Sequence, residues 1–198
     1  MLEPNWKQER PSPAAIKKTL SETIFAHVPF ESPAIEEHLK QLRLTHANGG
    51  AEFAMFSFPN NETLHWFISR NRFSEIDFFE RLLTSDTLRI ALPQLKAPKK
   101  LKSLDWEWSS SYLLDGEMAR TLMSGGAYKH FQRGGAEAKR MGAAVCESLF
   151  GDRYEDIMLF KTFNPWSDWF CEIAWDVTWI GVDKAKLLIW LLCVTDTD

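Results

Sequence analysis

A chain of 198 residues suits one domain, and 45% hydrophobic with 25% charged residues is the composition of a globular protein that builds its own core. A formal net charge of -4 excludes the overall basic footprint that sequence-independent nucleic-acid binding needs. No run approaches the roughly 18 apolar residues of a membrane span, and MLEPNWKQERPSP at the start lacks an apolar signal core, so the expected location is the cytoplasm.

Ser12-Pro13 reads as an N-cap followed by proline at the first helical position. Ile16, Leu20, Ile24 and Val28 then share one helical face until Pro29. A second start at Ser32-Pro33 carries Ile35, Leu39 and Leu42 on one stripe and stops at Asn48-Gly49-Gly50. Residues 51–58 (AEFAMFSF) and 63–69 (TLHWFIS) read as strands joined by Pro59-Asn60-Asn61-Glu62 into a hairpin. Ile76, Phe79 and Leu83 predict a helix over 73–83, and Thr87 to Leu92 a short strand.

The basic connection KAPKKLK at 96–102 is the one place where a subdomain join is expected, near 93–103. LDWEWSSSYLL then reads as a strand, and Asp115-Gly116-Glu117 starts a helix through Met118 and Leu122. Of the glycine pairs in SGGAYKHFQRGGAEAKR (124–140), the first ends that helix. The second precedes another, whose shared face is Ala138, Met141, Val145 and Leu149. IMLFKTF begins a strand, and two more follow. The expected class is therefore a single α+β domain over 1–198, with a largely antiparallel sheet, amphipathic helices packed on it and a β-hairpin at the C-terminus.

The final stretch, WFCEIAWDVTWIGVDKAKLLIWLLCVTDTD, sets carboxylates among tryptophans. If Trp169 to Asp183 is a strand, alternation puts a continuous apolar face on the odd positions and a mixed face on the even ones. The return from Leu187 to Thr195 is apolar on both faces, as in a central strand covered on both sides. A three-residue turn at Lys184-Ala185-Lys186 would oppose Asp183 to Leu187, and would gather Glu172, Asp176, Asp196 and Asp198 on one face. A two-residue turn would separate them. Such a cluster has three readings: the hairpin emerging into solvent, a patch for a basic protein partner, or a divalent-cation site.

Other chemistry has weaker signals. The histidines at 27, 38, 46, 65 and 130 lack HExxH or paired zinc spacing, and no phosphate or dinucleotide loop is present, so no metal or cofactor is expected. Cys146, Cys171 and Cys193 form no CxxC pair and read as reduced thiols. Trp166 is the tryptophan expected to be exposed. Gly134 and Gly135 precede a helix whose free N–H groups can hold an anion, with Tyr128, His130, Arg133 and Arg140 as nearby donors.

SGGAYKHF, the PWSDWF stretch continuing to Trp179, and the closing CVTDTD together resemble a family of small uncharacterised bacterial proteins. The resemblance covers about the last 80 residues. That family carries no assigned reaction, so it implies no catalytic residue here. Acidic, tryptophan-rich proteins of this kind include immunity partners, an analogy of composition alone. The expectation is a binding protein, more an interaction partner than an enzyme, acting through Glu172, Asp176, Asp196 and Asp198. The alternative is an enzyme or small-anion binder using Tyr128, His130, Arg133, Gly134 and Gly135.

Overall fold

Six strands form one antiparallel sheet in the order β1-β2-β6-β5-β4-β3 in the computed structural model, which describes residues 3–198. The strands are β1 (Ala26–Val28), β2 (Gly50–Ser57), β3 (Glu107–Ser109), β4 (Ile157–Thr162), β5 (Val177–Asp183) and β6 (Leu188–Thr195). The two outermost strands are three residues long, a length that leaves little open edge for wrong pairing. β6 lies between β2 and β5 with nearly every residue buried, the central covered strand that its two-sided apolar pattern predicts.

Both faces are covered by helices. Ile189, Leu191 and Cys193 of β6 face a core built with α3 (Glu62–Ile68), α4 (Phe78–Leu83) and α5 (Asp86–Ala91). Trp190, Leu192 and Val194 face a second core with α2 (Pro33–Thr45), α6 (Leu114–Ser124) and α7 (Gly135–Phe150). The expected shared face of α7 (Ala138, Met141, Val145 and Leu149) is buried there. No helix among the described residues is long and apolar enough to cross a membrane.

Local capping decides several elements against their apolar patterns. α1 (Pro13–Glu22) begins as expected, with Ser12 Oγ accepting the Ala15 N–H at 3.2 Å. It ends at Glu22, and the chain enters β1, where His27 pairs with Phe56, so Ile24 is 78% exposed and Val28 belongs to a strand. Residues 63–69 are not a strand. Asn61 Oδ1 accepts the N–H groups of Thr63 (2.9 Å) and Leu64 (3.4 Å), capping α3 and leaving no hairpin. The expected strand at 87–92 is likewise α5, because Ser85 Oγ accepts the Leu88 N–H at 3.1 Å.

The helix expected over 73–83 splits into a 3-10 turn at Phe73–Glu75 and α4, with Ile76 extended between them. Of LDWEWSSSYLL only Glu107–Ser109 is strand; a 3-10 turn follows at Ser111–Leu113. The connection around 93–103 is tied down rather than loose. Glu80 Oε1, buried on α4, accepts the Leu104 N–H and the Trp106 indole N–H, both at 3.0 Å. Strands from both sides of that connection lie in the one sheet.

Candidate functional site

The terminal hairpin has a different register from the one that would gather the acids. Val177 opposes Val194 and Asp183 opposes Leu188, leaving the four residues 184–187 as the turn. Asp183 Oδ1 holds that turn by accepting the N–H groups of Ala185 (3.1 Å) and Lys186 (3.0 Å), and Arg153 pairs with Oδ2 at 2.8 Å. β5 begins only at Val177; residues 169–176 form an irregular loop, not a strand. Four acids on one strand face therefore do not occur.

Asp176 and Asp196 are both buried and are used by the fold. Asp176 accepts the N–H groups of Cys171 (3.4 Å) and Ile173 (3.3 Å) and the Thr195 hydroxyl, closing the loop onto the end of β6. Asp196, one residue further, serves the opposite side. Its Oδ1 accepts the Asn48 N–H and its Oδ2 the Ala127 N–H, each at 2.8 Å, joining the loops after α2 and α6. Glu172, at φ 61°, and Asp198 are exposed and carry no side-chain partner. Trp166, expected at the surface, is instead buried, its indole N–H donated to Thr178 Oγ1 at 2.9 Å.

The residues of the glycine-rich alternative all lie at the surface, and its arginine is already paired. Arg133 pairs with Glu37 at 2.8 Å and Glu137 at 2.6 Å, and Arg140 pairs with Glu137 at 2.6 Å, so both guanidinium groups are already matched by carboxylate. Glu137 also lies in the first turn of α7, where a negative charge already complements the helix terminus. Gly134 and Gly135 face open space. Tyr128 is exposed, and His130 Nδ1 donates to the Ser124 carbonyl at 3.1 Å.

One cleft does involve the beginning of that segment. It encloses about 170 Å³ where the C-terminal half of α6 overhangs the start of β5. Arg120, Thr121 and Ser124 come from α6; spaced three and four apart with Glu117, they form one polar stripe of the helix. Phe163, just after β4, with Trp175 and Trp179 supplies the aromatic walls. His46, at the end of α2, closes the inner side.

The polar groups around this cleft are differently committed. Glu117 is the carboxylate nearest along the helix, and it is fully engaged. It accepts Ser109 Oγ (3.0 Å), Lys161 Nζ (3.2 Å) and the Trp179 indole N–H (2.8 Å). Burial pushes its carboxyl up, but these three donors outweigh that and hold it below the ordinary glutamate range. Arg120, three residues on, is left without a carboxylate, carbonyl or ring partner. Among the described residues every other arginine has one.

His46 Nδ1 lies 2.9 Å from Thr45 Oγ1 and 3.1 Å from the Leu42 carbonyl. The carbonyl can only accept and the Thr45 hydroxyl is within donating reach of the Gln41 and Leu42 carbonyls, so the tautomer that fits carries its proton on Nδ1 and leaves Nε2 as the acceptor. Burial lowers the imidazole pKa more than the Leu42 contact and the Asp196 charge raise it, which favours the neutral ring. Two of the thiols are poor nucleophiles by comparison: burial raises Cys146 to about 12 and pushes Cys193 up further. Among the described residues no three His, Cys, Asp or Glu side chains group as metal ligands would.

The glycine-rich segment 124–140 includes Ser124 and Gly125 of this cleft, whereas Arg120 lies outside it. The signal available for Arg120 was the stripe Glu117, Arg120, Thr121 and Ser124, four polar residues on one face of a helix whose opposite face buries Leu114, Met118, Ala119 and Leu122. No family model matches the chain, and no curated protein or solved structure matches it significantly.

Proposed function

We propose that this chain is a binding protein that holds a small organic anion in the cleft between α6 and the start of β5. The observation that carries the reading is Arg120, an exposed guanidinium without a protein partner at the mouth of a half-open, aromatic-walled cleft. A free guanidinium presents a planar fork of donors suited to carboxylate or phosphate. A cleft with apolar walls and few convergent polar groups is the usual form of a small-molecule site. No nucleophile or proton-transfer pair is part of the proposal, and binding alone is proposed. The free thiols accord with a cytoplasmic location, which belongs to the same proposal.

Titration of isotopically labelled protein with a set of small carboxylates and phosphates, followed by amide chemical shifts, tests this directly. The expected result is that shifts cluster at residues 120–125 and 174–179 and vanish in Arg120→Gln. If no anion perturbs those amides in the unmodified protein, the proposal is wrong.

A second reading keeps the interaction partner. Asp168 and Glu172, both exposed and unpaired, line a broad hollow of about 610 Å³ together with Lys96, Pro98 and Pro165. Two free carboxylates in one hollow suit a lysine- or arginine-bearing protein surface. Charge-reversal of Asp168 and Glu172 should then weaken co-purification of a basic partner; equal recovery would remove this reading.

A further inference from the structure

We propose that the anion held at Arg120 is a monocarboxylate carried on a single aromatic ring that bears a hydroxyl or amino donor, the hydroxybenzoate class; this rests on the binding reading given above. Size comes first. The cleft encloses about 170 Å³. A dry cavity of about 150 Å³ takes up benzene, so the space matches one ring and its substituents rather than a nucleotide. The walls set the shape. Phe163, Trp175 and Trp179 line it, and against aromatic walls a flat aromatic guest packs offset or edge-on better than a saturated ring of equal volume.

The charge environment selects a carboxylate over a phosphate. Arg120 is the only cationic side chain lining the cleft, apart from whatever fraction of His46 is protonated. The helix end pointing there is the C-terminus of α6, whose carbonyls bring negative partial charge. The nearby amides are already used: the Gly125 N–H donates to Thr121 O (3.1 Å) and the Gly126 N–H to Lys129 O (3.1 Å). A dianion would therefore meet one cation and a repulsive helix end, whereas one guanidinium satisfies a monoanion through a bidentate pair.

His46 supplies the remaining contact. With Nδ1 committed to Leu42 O, Nε2 accepts and cannot donate while the ring is neutral. A guest must bring a donor to it or leave a buried acceptor unmet, a loss that disfavours guests without one.

The test is a set of NMR or calorimetric titrations of the full chain with 2-, 3- and 4-hydroxybenzoate, benzoate, cyclohexanecarboxylate, acetate and inorganic phosphate, repeated on Arg120→Gln. Benzoate is expected to bind at least ten-fold more tightly than cyclohexanecarboxylate or acetate. One hydroxy isomer should gain a further several-fold, and all of these affinities should fall at least ten-fold in Arg120→Gln. Arg120-dependent binding of acetate or phosphate with no gain from the ring overturns the ring inference and leaves the anion-binding reading standing. Benzoate binding without a gain from any hydroxyl overturns the His46 contact. If nothing binds in an Arg120-dependent way, both the inference and the reading beneath it fall.

Discussion

Asp196 occupies the space that a side chain at position 126 would need: a β-carbon on Gly126 would lie 1.9 Å from Asp196 Oδ2 and 2.6 Å from the Thr45 carbonyl. The glycine lets the loop after α6 approach closely enough for Asp196 to accept the Ala127 N–H while its other oxygen takes the Asn48 N–H. Asp196→Ala leaves two inward-facing amides without their charged acceptor, and the expected loss is about 3 kcal/mol or more. Gly126→Ala should cost about 2 to 4 kcal/mol, because a backbone carbonyl as well as the carboxylate must move. Urea unfolding measures both, and a change under about 0.5 kcal/mol in Asp196→Ala would show that the clasp contributes nothing.

The middle of the sheet contains a second forced pairing. Gly181 of β5 opposes Trp190 of β6, and a β-carbon on Gly181 would lie 2.1 Å from the indole ring. Gly181→Ala should therefore destabilise the protein by several kcal/mol. The indole N–H of Trp190 has no hydrogen-bond partner, so shortening that side chain sacrifices packing alone. Trp190→Leu on its own costs about 3 kcal/mol, and the double variant should be more stable than the sum of the two predicts by about 1 to 3 kcal/mol. Strict additivity in the double-mutant cycle would contradict the contact.

Glu117 links α6 to β3, β4 and β5 through Ser109, Lys161 and Trp179. Its folded-state pKa is held below the ordinary value of 4.5, so the ionised form is the one the fold favours. The stability it contributes is present above about pH 4.5 and is lost as pH falls through the depressed folded value. Glu117→Gln should be destabilised at pH 7, with a deficit that closes as acid is added below that range. A deficit independent of pH down to acid unfolding would assign the loss to shape rather than charge.

His38 sits on α2 with both ring nitrogens buried and unpartnered, and burial lowers its pKa to about 4. The unfolded chain takes up a proton near pH 6.5 while the native ring stays neutral. Stability therefore falls between about pH 6.5 and pH 4, by up to about 3 kcal/mol from this group. His38→Met fills similar volume without a titrating group. It should be at least as stable at pH 7 and clearly more stable at pH 5; parallel pH profiles for the two proteins would disprove this.

The readable parts of the sequence were those in which pattern and end signals agree. Ser12-Pro13 and Ser32-Pro33 start the first two helices, and the two-sided apolar run of β6 marks the middle of the sheet. Residues 63–69 and 87–92 were misread because their apolar density outweighed the caps directly before them, Asn61 and Ser85. The terminal acids depended on one turn length. Asp183 lengthens that turn to four residues by binding two of its amides, and the extra residue changes every cross-strand partner. Arg120 could be seen as part of a polar stripe, but its lack of a partner follows from three other chain segments drawing Glu117 away.

The placement of β6 also makes the whole sheet depend on its last strand. β2, from the first third of the chain, finds its inner hydrogen-bonding neighbour in a strand made after all the others. In the folded sheet β1 and β2 lie on one side of β6 and β3 to β5 on the other, with no direct pairing between the two groups among the described residues. They join only when the segment from Leu188 to Thr195 slots between them. Such non-local closure is slow and leaves nascent chains open to sticking to one another. A chain cut before Leu188 would lose its keystone, and with it the means of uniting both halves.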